Sequence, residues 1–218
     1  GPIQLSYSVS DGQGSTIATT LTYTVAAVVD APVAADRSVT GLEDAASIAI
    51  PLQATDGDGG IVRYQLVDLP AGGALYADAA LSQPLAVGGS VTAAAVYFKP
   101  AANWAGHTRF HYTAVDNDGA LSAPATVDID LANVNDAPTV AAPLADPVAT
   151  QGRVFRLVVP ATTFADPDTG DTLSVSATRA DGSALPAWLH FDAATRTFAG
   201  LPGAADVGTL TLRVVATD

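Results

Sequence analysis

The chain has 218 residues with no cysteine and no methionine, and it sets nine basic side chains against 22 acidic ones for a net charge of −13. Without thiols, disulfides, thiolate zinc sites, iron–sulfur clusters and cysteine nucleophiles are excluded, and any metal must be held by oxygen or by the three histidines. The charge opposes binding to nucleic acid or to an anionic membrane surface, and no run approaches the roughly 20 apolar residues of a bilayer span, so a soluble chain without membrane insertion is expected.

Strand signals begin at once. Leu5, Tyr7 and Val9 alternate with serines, and Leu21, Tyr23 and Val25 alternate with threonines. That period of two belongs to strands with one apolar face. Further strands are predicted near 33–40, 46–52, 61–67, 73–77, 91–98, 106–115 and 123–132. In the last two, Phe110, Tyr112 and Ala114 share one face, as do Val127, Ile129 and Leu131, with Asp128 and Asp130 turned to water. Towards the C-terminus, Phe155, Leu157 and Val159 match Leu210, Leu212 and Val214, with Arg156 and Arg213 outside. Helical periodicity is absent, and Gly and Pro recur about every ten residues, as in antiparallel seven-strand sandwiches. The fold class expected is all-β, in tandem sandwiches with Greek-key connections.

The chain also repeats itself. Tyr7-Ser-Val-Ser-Asp11 returns as Tyr112-Thr-Ala-Val-Asp116 and more weakly as Val214-Val-Ala-Thr-Asp218, while Asp30-Ala-Pro32 returns as Asp136-Ala-Pro138. These spacings define a unit of about 105 residues. Residues 1–29 read as the last two strands of a preceding repeat, 30–135 as a complete repeat, and 136–218 as a repeat whose final strand is missing. Unpaired strand edges invite pairing, so head-to-tail self-association of these incomplete ends is a further expectation.

The acids fall at loop ends. In a seven-strand sandwich the second and sixth strand-to-strand loops share the end where the chain enters, and the first loop lies where it leaves. Asp30, Asp56, Asp58 and Asp116 should therefore gather at a first junction. Glu43, Asn133, Asn135, Asp136, Asp166, Asp168 and Asp218 should gather at a second, near 133–136. Calcium takes six to eight oxygens in irregular geometry and suits such a set, whereas magnesium demands a tight octahedron. At the first junction Ala27 and Val29 stand where Asn133 and Asn135 stand at the second, so it should be the weaker site.

The linker Asn133-Val-Asn135-Asp136-Ala-Pro138, Glu43, the Asp-x-Asp of 166–168, and Asp116 with Asp118-Gly119 resemble cadherin calcium motifs. More closely, the chain resembles the tandem cadherin-like repeats of giant bacterial repeats-in-toxin adhesins. The carriers are Ala31-Pro-Val-Ala, Glu43-Asp44, Ala54-Thr-Asp56 and Asn103-Trp-Ala-Gly106 leading into Phe110-x-Tyr112. Through Leu185-Pro-Ala-Trp188, Thr195-Arg-Thr-Phe198 and Asp206-Val-Gly208, the last unit resembles the dystroglycan-type cadherin-like variant. The resemblance implies Ig/cadherin-like sandwiches on the outside of a bacterial cell, acting in adhesion and biofilm as calcium-stiffened extenders. Their partners would be neighbouring repeats of the same polypeptide. The alternative is a module that binds a glycan or protein ligand for the same surface protein or for a secreted enzyme.

Other side chains read plainly. On a strand, His107 and His111 stand about 13 Å apart and cannot share a metal, so with His190 they are expected to be surface or structural. Trp104 and Trp188 lie in apolar motifs and read as packing. No nucleophile elbow and no phosphate-binding glycine loop is present, so no enzyme activity is expected.

Overall fold

The computed structural model describes residues 2–25 and 28–218. Ala27, half of the comparison that weakened the first junction, lies outside the described residues. The chain divides into two compact units. Gly1–Gly41, Ala45–Pro100 and His107–Asp130 form the first, while Leu42–Asp44, Ala101–Gly106 and Leu131–Asp218 form the second.

The first unit opens with an antiparallel hairpin, β1 (Pro2–Ser10) and β2 (Thr16–Thr24), in register from Pro2 opposite Thr24 to Ser10 opposite Thr16. Asp11 closes the turn: its Oδ1 accepts the N–H groups of Gln13 (2.8 Å) and Ser15 (3.1 Å). These bonds hold the Asp11 carboxyl below the usual aspartate range.

Ten strands come next: β3 (Val33–Ala34), β4 (Arg37–Leu42), β5 (Ile48–Pro51), β6 (Ala54–Thr55), β7 (Ile61–Leu66), β8 (Gly73–Tyr76), β9 (Ser90–Val91), β10 (Ala95–Pro100), β11 (Gly106–Asp116) and β12 (Ala125–Ala132). One sheet runs β5-β10-β8 and the other β4-β12-β11-β7-β9. The alternating residues of β10, β11 and β12 supply the core between them. Val96, Phe98, Phe110, Tyr112, Ala114, Val127 and Ile129 are fully buried, with Ile50, Leu66 and Leu75 from facing strands. An all-β sandwich is therefore the observed architecture.

Two departures from simple alternation position the acids. The strand expected over 33–40 is split. Its first part, β3, pairs with β6, and its second, β4, runs beside β12. The buried Tyr112 hydroxyl pins this corner by donating to the Ala35 carbonyl (2.6 Å) and accepting the Gln53 N–H (3.3 Å). Burial pushes its pKa up. On β11, a bulge between Val115 and Asp116 shifts the register against β7, so Ala114, Val115 and Asp116 are all buried in succession. An extra residue re-aims the side chains beyond it. Here it turns Asp116 inward.

The second unit contains β13 (Thr139–Val140), β14 (Phe155–Val158), β15 (Phe164–Ala165), β16 (Ser174–Arg179), β17 (Leu189–Asp192), β18 (Thr197–Gly200) and β19 (Leu212–Thr217). Its sheets are β14-β18-β17, β16-β19 and the short pair β13-β15. Val159, Leu189 and Phe198 form the core, with Phe155, Leu157, Trp188, Phe191, Leu212 and Val214 packed around them. The expected match of Leu210 with Leu212 and Val214 is only partial, because β19 begins at Leu212 and Leu210 lies ahead of it. Gly200 is required by close approach: a Cβ there would collide with the Trp188 carbonyl and lie 2.9 Å from its ring. Trp188 in turn packs edge-on against Phe155, with ring centroids 6.3 Å apart.

Candidate metal centre

The site belongs to the second unit and is assembled from three stretches of chain. Glu43 sits in the turn after β4, where its N–H donates to the Ala132 carbonyl (3.0 Å). Its side chain is only 1 % exposed, and one carboxylate oxygen accepts the Val134 N–H at 2.7 Å. Residues 133–136 come directly after β12. Asp166 and Asp168 lie in the loop after β15, where Asp166 Oδ1 accepts the Asp168 N–H at 2.9 Å. That local turn fixes the two carboxylates relative to each other.

Carboxylate oxygens of Glu43, Asp136 and Asp168 all lie within 4.8 Å of one another. Asp166, Asp168 and Asp171 form a second such set, with Asp168 common to both. Asp168, 5 % exposed, accepts the Asn133 amide on Oδ1 (2.9 Å) and the Asp136 N–H on Oδ2 (2.6 Å). Asn103 donates its amide to Asp136 Oδ2 at 2.8 Å and its backbone N–H to Asp44 Oδ1 at 3.4 Å. Of the seven residues expected at the second junction, five thus lie within the two carboxylate sets or are bonded to them. Asn135 and Asp218 instead bond each other at 2.7 Å on the exposed surface.

The electrostatics are one-sided. Among the described residues, every ion pair joins His107, Arg109 or His111 to Asp68, Asp128 or Asp130, and none touches the acids of this site. Burial first, and then the neighbouring charges of Asp44, Asp168, Glu43 and Asp166, raise the pKa of Asp136. Asp166 Oδ2 is buried without a hydrogen-bond partner. An oxygen-only set with an orphaned acceptor and no compensating cation has the chemistry of a hard divalent ion site, and calcium fits it. The residues that would hold such an ion are Glu43, Asp136, Asp166 and Asp168. Asn133 could join them by turning its amide through a half rotation to offer oxygen.

The first-junction residues lie in the first unit and are arranged differently. The Asp30 N–H donates to Asp58 Oδ2 at 3.2 Å. Asp116, 2 % exposed, uses Oδ1 to accept the N–H groups of Asp118 (2.9 Å) and Ala120 (2.8 Å). Oδ2 of Asp116 and Oδ2 of Asp56 are both buried and unpartnered. Among the described residues, these four aspartates do not come together as a triad of carboxylates.

Asn103, Asp44, Asp171 and Asn117 were not identified as site residues from sequence. Asn103 adopts a left-handed φ of 55°, a conformation in which asparagine is enriched, and this was the one local signal available. Asn117 Oδ1 accepts the Gly60 N–H at 2.8 Å beside the Asp56 loop. A Cβ on Gly59 would collide with Asn117 Oδ1 and lie 2.8 Å from Asp56 Oδ2.

Two of the three histidines bind carboxylates. His107 Nδ1 lies 2.9 Å from Asp130, and His111 Nδ1 lies 2.7 Å from Asp68. Trp104 lines a surface cleft with Asn103, Asn133, Pro167 and Thr169.

Residues 29–130 match the family model described as "Bacterial Ig domain", and residues 137–218 match the one described as "Putative Ig domain". Each of the two stretches is thus similar to an Ig-like domain, in keeping with the all-β units described above. No helix is long and apolar enough to cross a membrane, among the described residues. No curated protein matches the sequence.

Similar solved structures include the human desmocollin-1 ectodomain (13% identity, covering 100% of this chain and 44% of that one, TM-score 0.46). Drosophila N-cadherin EC1-4 is 12% identical over 99% of this chain and 54% of its own, with a TM-score of 0.39. The fibronectin(III)-like modules of Clostridium thermocellum CbhA are 22% identical over 61% of this chain and 63% of their own, with a TM-score of 0.32. The chain spans less than two thirds of each.

Proposed function

We propose that this chain is a calcium-stiffened extender segment of a secreted or cell-surface bacterial adhesin of the repeats-in-toxin type. In this reading residues 136–218 form a dystroglycan-type cadherin-like unit, and the chain has a mechanical rather than an enzymatic role. The observation that carries the proposal is the triad of Glu43, Asp136 and Asp168, three carboxylates within 4.8 Å of one another and without a basic partner.

Such a set costs free energy as it stands, because like charges at this separation repel and two of the three are buried. A calcium ion would exchange that repulsion for shared coordination. It would hold the connecting segment 133–136 to the Glu43 turn and to the 166–168 loop at once, which removes freedom from the linker. Extracellular modules bind calcium with dissociation constants of about 10⁻⁴–10⁻³ M, so the segment would be stiff outside a cell and loose at cytosolic calcium levels.

Calorimetric titration with calcium tests the proposal. Binding in that range, lost in Asp168→Ala, supports it, together with X-ray scattering profiles that differ between calcium and chelator. Titration without heat, or superimposable profiles, would overturn it.

A further inference from the structure

The surface cleft beside the acids carries a second set of binding groups. It encloses about 490 Å³ and is lined by Asn103, Trp104, Asn133, Pro167 and Thr169, all of the second unit. That volume falls within the ~300–1,000 Å³ of small-ligand sites. Both tryptophans read as packing from sequence, and the structure separates them. Trp188 packs against Phe155 and the core of Val159, Leu189 and Phe198, whereas Trp104 is half-buried and lines the cleft.

The backbone fixes Trp104 in place. Asn103 ahead of it donates its N–H to Asp44 Oδ1 at 3.4 Å, and the Trp104 N–H donates to the Ala101 carbonyl at 3.3 Å. The polar lining is held as firmly, with the Asn103 amide on Asp136 Oδ2 (2.8 Å) and the Asn133 amide on Asp168 Oδ1 (2.9 Å). Each bond uses one N–H of an amide that has a second N–H and a carbonyl oxygen to offer. Among the described residues nothing bonds the Oδ1 atoms of these asparagines or the Thr169 hydroxyl, so they are open to a ligand.

An aromatic ring beside amides and a hydroxyl matches the two kinds of surface on a sugar. The face of an indole is electron-rich and attracts the partly positive C–H groups on one side of a pyranose. Sugar hydroxyls donate and accept at once, which suits amide and hydroxyl groups converging on one cleft. Charge narrows the class further. Among the described residues no basic side chain lines the cleft, and its asparagines are bonded to the carboxylates of Asp136 and Asp168, so uronic and sulfated sugars, nucleotides and other anions are disfavoured. A peptide fits less well, because peptide recognition uses a sheet edge, a helix-sized groove or a groove lined with several aromatic rings, and this cleft has one aromatic side chain.

We infer that this cleft binds a neutral sugar, with the Trp104 indole as platform and the side chains of Asn103, Asn133 and Thr169 bonding its hydroxyls. The inference goes beyond the extender reading and does not rest on it, since bonds within the chain already place the lining groups. Each asparagine then has two duties: one end of its amide holds a carboxylate and the other meets the sugar. With the Asn133 oxygen turned to an ion, its N–H groups are left for the sugar, which accepts as readily as it donates.

Two-dimensional NMR of the full chain tests this, in chelator and again in calcium, with the methyl glycosides of glucose, galactose, mannose and N-acetylglucosamine as probes. At least one should saturably shift the Trp104 indole N–H and the side-chain amides of Asn103 and Asn133 while leaving the Trp188 indole in place, and it should do so in chelator. An uronic acid of the same ring configuration should bind more weakly. Trp104→Ala should weaken binding about tenfold or more, and Trp104→Phe, which keeps an aromatic face, should weaken it less. Thermal unfolding checks that these variants fold. Thr169→Val removes one hydroxyl from an exposed residue at little change in shape and should also weaken binding, whatever the tryptophan variants do. A panel that leaves the Trp104 indole unmoved, an uronic acid that binds equally well, or shifts unchanged in Trp104→Ala would each overturn the proposal, as would a proline-rich peptide that moves that indole when no glycoside does. Glycoside binding in a protein that takes up no calcium would sink the calcium reading alone, and calcium uptake without any glycoside shift would sink this one alone.

Discussion

Asn103 and Asp136, 33 residues apart in sequence, are joined by a 2.8 Å hydrogen bond from amide to carboxylate. The bond supplies one of the few donors to a carboxylate surrounded by four others. Asn103→Asp would replace that donor with a fifth neighbouring charge. The metal-free protein is expected to unfold at a lower denaturant concentration, and millimolar calcium should restore the midpoint.

Glu43→Gln keeps an acceptor for the Val134 N–H while removing a buried charge that has no basic partner. Calcium affinity should fall by about tenfold or more by calorimetry, since ligand charge count sets the strength of oxygen sites. The metal-free melting temperature should rise in the same variant, because an uncompensated buried charge is a cost. A fall in both would mean that Glu43 serves packing alone.

The raised pKa of Asp136 fixes the sign of a pH effect. Folded Asp136 holds its proton more tightly than the unfolded chain, whose aspartates titrate near 3.8. Just above that value the native state carries more protons, so this group's contribution to stability declines as pH rises through the window and stays unfavourable at neutrality. Lowering the pH from 7 towards the raised value should therefore stabilise the metal-free protein and weaken calcium binding. A pH series of thermal melts with chelator and with calcium reads both effects, and Asp136→Asn should flatten them.

Tyr112→Phe removes a hydroxyl that serves the Ala35 carbonyl and the Gln53 N–H beside a full core. Two backbone groups are left without it, and the expected cost is about 1–3 kcal/mol in unfolding of the first unit. Calcium binding should be unchanged, since Tyr112 lies outside the cluster of acids.

Much of the fold could be read from alternation. Phe110, Tyr112 and Ala114 on β11, and Val127, Ile129 and Leu131 on β12, stand out because one strand face is buried and the other wet. The split between β3 and β4 could not be read, since two-residue pairing leaves no period to detect. Nor could the bulge at Val115/Asp116, which depends on what β7 presents opposite. At the site, the acids of Asp-x-Asp loops and of the linker were legible from residue type and loop parity. Asn103 and Asp171 were not, because their role comes from backbone geometry and from loops meeting in space. The parting of Asn135 and Asp218 from the two triads also escaped, since sequence places a residue at a strand end without giving its reach.

The hairpin sets a second kind of response to the medium beside that of the acids. The face formed by Ile3, Leu5, Tyr7, Val9, Ile17, Leu21 and Tyr23 carries no carboxylate, amine or imidazole, whereas the Glu43–Asp136–Asp168 cluster is made of carboxylates. Added salt should therefore screen the repulsion within the cluster and leave the attraction of the apolar face for other apolar surface undiminished.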